Sequence, residues 1–352
     1  MPAAGVATTM PDMRYRLLGN SGLRVSEYCL GTMTFGEDWG WGTAEEGARE
    51  MLDRFADAGG NFIDTANNYT DGSSERMLGE LLEGRRDEFV LATKFTSATR
   101  PGDPNACGNG RKNMAQAVEA SLDRLQTDYI DLLWVHAYDG MTPIEETMRG
   151  LDDLVSRGLV HHVGLSDYPA WAASRAVTLA EERGYVMPCA LQIKYTLTER
   201  TPERELLPLA RELGLGVAPW SPLDGGVLTG KYLEEDAEGR LSAREQEMSD
   251  EQERVARAVV EVADEAACSP AQVVFAWLDA RETDTGIQFT PIIGATTPEQ
   301  LADNLGALDV TLADEHLERL DEVSAVDMGF PGEFLNSENI NDVIHNGLRD
   351  QI

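Results

Sequence analysis

The sequence predicts an α/β protein folded as a closed (β/α)8 barrel of the TIM-barrel class, in which eight parallel strands alternate with helices. Short runs rich in apolar and β-branched residues recur along the 352 residues, with amphipathic helical patterns between them. Eight such alternations are typical of a barrel. An open, doubly wound sheet would ordinarily carry a Gly-x-Gly-x-x-Gly turn after an early strand, and the sequence contains none.

The predicted elements follow one another at regular spacing through most of the chain. Strands are predicted at residues 28–32, 61–65, 88–94, 129–136, 161–166, 190–195, 214–220 and 291–294. Helices are predicted at residues 44–58, 73–82, 111–125, 143–157, 171–183, 202–213 and 312–324. A long polar loop, residues 221–250, follows the seventh strand, and loops at this end of a barrel usually serve a ligand.

We expect the whole chain, residues 1–352, to form one domain with its core at about residues 14–324. A C-terminal helix ends that core, and residues 325–352 are expected to form an irregular tail. Such a tail either covers the mouth of the barrel or wraps its outside, and the sequence leaves both open.

The chain is strongly acidic. It carries 29 Lys and Arg against 62 Asp and Glu, a formal net charge of −33, and only four of its cations are lysines. Such a surface repels nucleic acids and anionic membranes, so neither is expected as a partner. Dense carboxylates suit a halophilic protein, because high salt screens their repulsion. A solvated acidic surface in an ordinary cytosol and GC-rich coding explain the composition equally well.

Neither cysteine usage nor hydropathy indicates an exported or membrane protein. The four cysteines lie far apart and form no Cys-x-x-Cys pair, which argues against structural zinc and disulfides and for a reducing compartment. The N-terminus lacks the apolar core of a signal peptide, and no window reaches the ~18 apolar residues of a membrane span. We therefore expect a cytoplasmic monomer or homo-oligomer.

Three consecutive predicted strands each deliver titratable residues at their C-terminal ends. Asp64 ends the second strand and Tyr69 follows five residues later, while Lys94 ends the third and His136 the fourth. Barrels build their active sites at these ends, so the four residues should converge. The set suits proton donation to a carbonyl. Lys94, held by Asp64, would lower the pKa of Tyr69 toward the range useful for catalysis, and His136 would hydrogen-bond to the carbonyl oxygen.

These residues and three further motifs make the sequence similar to the aldo-keto reductase superfamily, over residues from about 14 to 324. The motifs are Gly31-Thr32-Met33, Gly164-Leu165-Ser166 and Trp220-Ser221-Pro222-Leu223. The resemblance implies a (β/α)8 barrel that binds a nicotinamide dinucleotide without a Rossmann domain. It also implies that Tyr69 donates the proton and that His136 orients the carbonyl. Lys94 and Asp64 would tune Tyr69.

By the same resemblance, several strand ends would together hold the cofactor. Ser166 and Gln192 would bind the carboxamide and Trp220 would stack on the nicotinamide ring. Asp167 stands where many relatives carry Asn, and an ionised Asp can accept a hydrogen bond there but cannot donate one. The segment from Ser221 to Gly225, with Lys231, would bind the pyrophosphate, and the residues from Gly294 to Asn304 would bind the adenosine. The full set implied is Gly31, Thr32, Met33, Asp64, Ser166, Asp167, Gln192, Trp220, Ser221, Pro222, Leu223, Gly225, Lys231, Gly294, Thr296, Gln300, Asp303 and Asn304.

The adenosine segment departs from many relatives, which place Arg or Lys there to meet the 2′-phosphate of NADP. No Lys or Arg occurs between Arg281 and Arg319, so this segment offers no bidentate Arg clamp. Thr296 and Gln300 can hydrogen-bond to a phosphate, and Lys231 is a candidate cation. NADPH is favoured because most of the family uses it, and NADH is the alternative.

Aromatic residues near the strand ends predict an apolar pocket for an aldehyde or ketone of moderate size, or for an alcohol in the reverse direction. Phe35, Trp39 and Trp41 follow the first strand, Tyr138 follows the fourth and Trp171 follows the fifth. The pattern does not identify the substrate.

Two other functions compete with carbonyl reduction. The same superfamily includes β subunits of potassium channels, which bind NADPH and act mainly as regulatory, redox-sensing partners. Those subunits commonly carry Asn at the position of His136, so the His here favours catalysis. A metal-dependent hydrolase would need a cluster of His and carboxylate ligands, and only one of the five histidines clearly ends a strand. No metal site is therefore expected.

Overall fold

The computed structural model describes residues 13–233 and 247–348. The strands are β1 Tyr15–Leu17, β2 Arg24–Ser26, β3 Cys29–Gly31, β4 Phe62–Asp64, β5 Val90–Phe95, β6 Ile130–Val135, β7 Val160–Ser166, β8 Pro188–Lys194, β9 Gly216–Trp220 and β10 Ile292–Gly294. The helices are α1 Glu45–Asp57, α2 Ser73–Leu81, α3 Arg111–Leu125, α4 Ile144–Ser156, α5 Ala170–Arg183, α6 Leu206–Leu213, α7 Asp250–Ala266, α8 Pro270–Thr285, α9 Pro298–Leu305, α10 Asp314–Val323, α11 Gly329–Asn336 and α12 Glu338–His345.

Strands β3 to β10 form one parallel sheet that curls into a nearly closed barrel. Neighbouring strands run in the order β10-β3-β4-β5-β6-β7-β8-β9. An isolated parallel bridge between Val217 and Phe289 joins the two ends of the sheet. The predicted (β/α)8 barrel is confirmed, and each of the eight predicted strands overlaps an observed one. All eight C-terminal strand ends therefore open onto one face, where a barrel places its site.

Large and small side chains fit together in the middle of the barrel. Trp134 and Phe62 are fully buried there, among alanines such as Ala92 and Ala190. Gly164 on β7 pairs in register with Trp134 on β6, and a Cβ atom on Gly164 would lie 2.3 Å from the Trp134 ring. The glycine therefore makes room for the indole, whose packing fills the barrel directly below the strand ends.

A hairpin of β1 and β2 closes the opposite end of the barrel, and the sequence patterns did not predict it. Leu18 and Val25 belong to the same buried cluster as the barrel interior. Arg16 ties the hairpin to the body of the protein, since it donates to the Phe289 carbonyl at 2.7 Å and pairs with Glu282 at 3.0 Å. Strands of three residues are too short to show the alternation that marks a longer strand.

Two predicted irregular segments are more ordered than expected. The segment after β9 forms 3₁₀ helices at Asp224–Thr229 and Lys231–Leu233, while residues 234–246 of the predicted loop lie outside the described residues. The prediction of an irregular tail is wrong, because helices lie at residues 329–336, with non-helical backbone at Phe330, and at residues 338–345. Residues 349–352 lie outside the described part. The helix predicted at 202–213 begins as an α-helix only at Leu206, after a 3₁₀ turn at Thr201–Arg204.

We predict that Gly164→Ala destabilises the fold, because the new methyl group must displace a fully buried indole. The free energy of unfolding should fall by about 1–3 kcal/mol, as for other overpacked cores. Gly22→Ala is the matched control, since a Cβ atom there meets nothing within 4 Å. Urea unfolding of both variants measures the difference. Equal stability of the two variants would show that the barrel interior yields to the added methyl group.

Candidate active site

The four titratable residues predicted from the strand ends converge on one face of the barrel. Asp64 is the last residue of β4, Lys94 lies near the end of β5, and His136 directly follows β6. Tyr69 begins a 3₁₀ turn, Tyr69–Gly72, that leads from β4 into the next helix. The strands β4, β5 and β6 are parallel neighbours in the sheet, so their ends lie side by side.

Lys94 is the centre of the cluster. Its ammonium group donates to the Asp64 carboxylate, to the Thr65 carbonyl at 2.9 Å and to the Tyr69 hydroxyl at 3.0 Å. These three acceptors use all three N–H donors of the lysine. Gln192 on β8 donates to the other Asp64 oxygen at 3.0 Å, so the carboxylate is held from both sides. The lysine can turn away from Tyr69 only by losing a buried hydrogen bond.

The electrostatics keep Lys94 charged and Tyr69 protonated. Burial alone would lower the pKa of Lys94, but the Asp64 carboxylate and Tyr69 raise it overall. Burial raises the pKa of Tyr69 above its ordinary value, although the Lys94 ammonium opposes that shift. The expectation of a lowered tyrosine pKa is therefore wrong for this structure, because desolvation outweighs the neighbouring cation.

His136 is a neutral side chain beside Tyr69. Burial, together with the charge of Lys94, lowers the pKa of His136 to about 3. Its ring meets the Tyr69 ring edge-on, with centroids 6.0 Å apart, and its Nδ1 lies 3.4 Å from the Ser97 hydroxyl oxygen. A neutral imidazole carries one N–H donor and one acceptor, so it can hydrogen-bond to an oxygen bound at Tyr69 without adding charge.

A cleft of about 1430 Å³ opens above these residues. Asp64, Tyr69 and His136 line it, whereas Lys94 lies behind them, buried. Every residue expected at the cofactor lines the same cleft: Gly31, Thr32, Met33, Asp64, Ser166, Asp167, Gln192, Trp220, Ser221, Pro222, Leu223, Gly225, Lys231, Gly294, Thr296, Gln300, Asp303 and Asn304. No residue of the described part of the C-terminal tail lines it. The cleft is large enough for a dinucleotide together with a small substrate.

Only two of the five aromatic residues predicted at the substrate pocket lie in the cleft. Trp39 and Trp41 line it, with ring centroids 5.8 Å apart. Phe35 is fully buried in the core between barrel and helices, because the chain after β3 turns its side chain inward. Tyr138 and Trp171 do not line the cleft and pack edge-on against each other at 5.6 Å. The prediction of a wide aromatic pocket is therefore corrected to one tryptophan pair.

The sequence interpretation missed an ion pair in the cleft wall. Lys194, two residues after Gln192 on β8, pairs with Asp224 at 2.8 Å. Asp224 also accepts hydrogen bonds from Thr198 and Gln252, each at 2.8 Å, and so joins the loop after β8 to the start of α7. The alternation of side chains along a strand could have revealed Lys194, because it shares the face of Gln192.

The segment expected at the pyrophosphate uses part of its hydrogen-bonding capacity internally. The Asp224 N–H donates to the Ser221 carbonyl at 2.8 Å, and the Gly225 N–H donates to the Ser221 hydroxyl at 3.2 Å. Among the described residues, Lys231 lines this wall without an ion-pair partner. An anionic group bound here would therefore meet a cation in addition to backbone donors.

Ser166 shows that the cleft fits an amide-bearing ring. Its hydroxyl is buried and has no hydrogen-bond partner among the described residues. It pairs in register with Gln192, and the next residue, Asp167, accepts a hydrogen bond from Trp220; Gln192 and Trp220 both line the cleft. A buried hydroxyl left without a partner costs free energy, and a bound carboxamide would supply one. This wall therefore suits the nicotinamide end of a dinucleotide.

The described part of the chain contains no group of three or more His, Cys, Asp or Glu residues that could hold a metal ion. Its helices are all too short or too polar to cross a membrane.

Comparison with known proteins confirms the predicted family. The model of the aldo/keto reductase family matches residues 27–325. Norsolorinic acid reductase stcV of Emericella nidulans is 39% identical over 326 residues, which cover 90% of this chain and 82% of that protein. Aryl-alcohol dehydrogenase GME11368 of Pestalotiopsis microspora is 36% identical, covering 92% of this chain and 85% of that protein. The uncharacterized oxidoreductase YrpG of Bacillus subtilis is 37% identical, covering 91% and 97%. The chain belongs to the aldo/keto reductase family and is an oxidoreductase of carbonyl and alcohol groups.

Proposed function

We propose that this protein reduces the carbonyl group of an aldehyde or ketone to an alcohol, with a nicotinamide dinucleotide as the hydride donor and Tyr69 as the proton donor. The reverse oxidation uses the same groups. The observation that carries the proposal is the Tyr69 hydroxyl, which lines the cleft and accepts a hydrogen bond from the buried Lys94 ammonium at 3.0 Å. Membership of a family that generally uses nicotinamide cofactors supports the choice of hydride donor.

The protein supplies the proton and positions both reactants. When bound, the reduced cofactor supplies hydride to the carbonyl carbon. Tyr69 then gives its proton to the developing alkoxide, and the Lys94 ammonium stabilises the tyrosinate that remains. The raised pKa of Tyr69, which results from burial, keeps the proton on the hydroxyl until the substrate oxygen arrives. Asp64 balances the charge of Lys94, so the lysine remains an ammonium throughout.

His136 orients and polarises the carbonyl. Its pKa of about 3, lowered by burial and by Lys94, keeps the imidazole neutral at physiological pH. A neutral N–H donor stabilises the developing oxyanion through a hydrogen bond, while the mobile proton comes from Tyr69. Tyr69 therefore supplies the proton, and His136 aligns the carbonyl group.

NADPH is the proposed hydride donor and NADH the alternative. The family resemblance favours NADPH, but the residues at the adenosine end are neutral or acidic. Thr296 donates through its hydroxyl and its backbone N–H to Gln300, each at 2.9 Å, so the two side chains form a closed polar pair at the cleft edge. Hydroxyl and amide groups can bind a ribose hydroxyl or a phosphate, but they offer neither group a cation.

The substrate we propose is an aryl aldehyde or aryl ketone. Trp39 and Trp41 present two tilted indole rings to the same cleft as Tyr69, and flat apolar surfaces suit an aromatic ring. The relative named aryl-alcohol dehydrogenase GME11368 supports the same substrate class. The regulatory-subunit alternative lacks comparable support, because the relatives described above are named reductases, dehydrogenases or oxidoreductases.

Removing the Tyr69 hydroxyl tests the proton-donor role. We expect Tyr69→Phe to lower carbonyl-dependent cofactor oxidation by about 100-fold or more, because proton transfer to the alkoxide is lost. Cofactor affinity, measured by fluorescence titration, should remain nearly unchanged. Tyr138→Phe is the matched control and should retain normal turnover, since Tyr138 lies outside the cleft. Normal turnover of Tyr69→Phe would refute the assignment.

A cation at the adenosine end tests cofactor choice. We expect Thr296→Arg to raise the preference for NADPH over NADH by roughly tenfold, because a guanidinium can pair with the 2′-phosphate that only NADPH carries. The ratio of the two dissociation constants is the measurement. Glu299→Arg, an exposed change outside the cleft in the first turn of α9, three residues after Thr296, controls for general electrostatics. An unchanged ratio in Thr296→Arg would show that another group already binds the phosphate.

A further inference from the structure

Asp167 places a carboxylate in the wall of the cleft at its reaction end. The residue directly follows β7, and its backbone N–H donates to the Gln192 carbonyl at 3.1 Å. Its Oδ1 accepts the indole N–H of Trp220 at 3.0 Å. The backbone is left-handed, with φ 48°, a conformation that Asp and Asn adopt more readily than other side chains with a Cβ atom. Hydrogen bonds at both backbone and side chain therefore hold the carboxylate in one place.

The other charged residues around the reacting oxygen cancel one another. Asp64 and Lys94 form a buried ion pair. Tyr69 is protonated and His136 is neutral, because burial raises the pKa of the tyrosine and lowers that of the histidine. Among the described residues, Asp167 has no ion-pair partner. Its ionised carboxylate therefore leaves this end of the cleft with one net negative charge.

The nicotinamide ring must lie close to that charge if the proposed function holds, on which this inference rests. A hydride donor has to approach within about 3–3.5 Å of the carbonyl carbon whose oxygen contacts Tyr69. Ser166, Gln192 and Trp220 form the wall that fits the ring and its carboxamide. Asp167 lies within that wall, next to Ser166 in the chain and hydrogen-bonded to Trp220.

We propose that the Asp167 carboxylate sets the relative affinity of the site for the two redox forms of the cofactor and favours the oxidised form. The oxidised nicotinamide ring carries a positive charge and the reduced ring is neutral. The attraction of a nearby carboxylate therefore acts only on the oxidised complex. For a charge pair in a partly solvated cleft, we expect the effect to be about tenfold in the ratio of dissociation constants.

This preference makes the bound reduced cofactor a stronger hydride donor. Tighter binding of the oxidised form by tenfold lowers the reduction potential of the bound two-electron couple by about 30 mV. The carboxylate also acts on the acid. After burial, the largest cause, the charge of Asp167 is among the groups that raise the pKa of Tyr69 and keep it protonated. The lower potential favours carbonyl reduction, whereas the raised pKa keeps Tyr69 protonated before hydride transfer but makes its hydroxyl a weaker acid.

Calorimetric titration of Asp167→Asn tests the proposal. The Asn side chain keeps an acceptor for the Trp220 N–H and tolerates the left-handed backbone, while the charge is removed. Partial burial raises the pKa of Asp167, although the Trp220 hydrogen bond and Lys94 oppose that shift. Binding of NADP⁺ and NADPH is therefore measured at about pH 8, far above the ordinary pKa of a carboxyl group. We expect the ratio of the NADP⁺ to the NADPH dissociation constant to rise about tenfold.

Two further variants make the result specific. Asp167→Ser is also neutral, and it should give the same ratio as Asp167→Asn even if the altered Trp220 contact weakens binding of both forms. Glu247→Gln removes another carboxylate from the cleft lining and should leave the ratio unchanged. A ratio in both neutral Asp167 variants within about twofold of the wild-type ratio would overturn the inference, since the expected electrostatic difference would be absent. Failure of the wild-type protein to bind either form would instead overturn the proposed function.

Discussion

The buried ion pair between Asp64 and Lys94 is the interaction on which the site depends. Two charges removed from water are stable only when their remaining hydrogen-bonding groups are satisfied. Here Thr65, Tyr69 and Gln192 satisfy them, so the pair fixes the positions of groups from the ends of β4, β5 and β8. Removing one partner from such a pair typically costs about 3–5 kcal/mol, because the other charge is left buried and unpaired. The Asp64–Lys94 pair therefore both stabilises the strand ends and holds the protonated Tyr69 hydroxyl in the cleft.

The fold supports this pair from below and leaves specificity to the loops above. Trp134 fills the barrel beneath the strand ends and requires Gly164 beside it, so the middle of the barrel is a packed floor. Above it, Trp39 and Trp41 come from the segment after β3, and Asp224 joins the loop after β8 to the start of α7. The catalytic residues thus lie at the strand ends and the candidate substrate-binding residues in the loops above them. This separation explains how one barrel scaffold supports substrates of different shape.

Sequence patterns could predict what depends on local order along the chain. The eight barrel strands and the convergence of Asp64, Tyr69, Lys94 and His136 follow from alternating elements and from the geometry of parallel barrels. Properties that depend on burial in three dimensions could not be predicted. The pKa of Tyr69 rises because desolvation outweighs Lys94, and Phe35 turns into the core although it lies close in sequence to Trp39. The tail forms helices that its composition, with glycine and proline near Phe330, did not suggest.

Turnover of the wild-type protein is the measurement that tests the central claim most directly. Purified protein would be mixed with reduced cofactor, at low and at high salt because of the net charge of −33, and cofactor oxidation followed after addition of a panel of aryl aldehydes. A reductase built around Tyr69 and Lys94 predicts cofactor oxidation that depends on the aldehyde and yields the matching alcohol. Tight cofactor binding without aldehyde-dependent oxidation in either salt would contradict it and would indicate a regulatory, cofactor-binding protein.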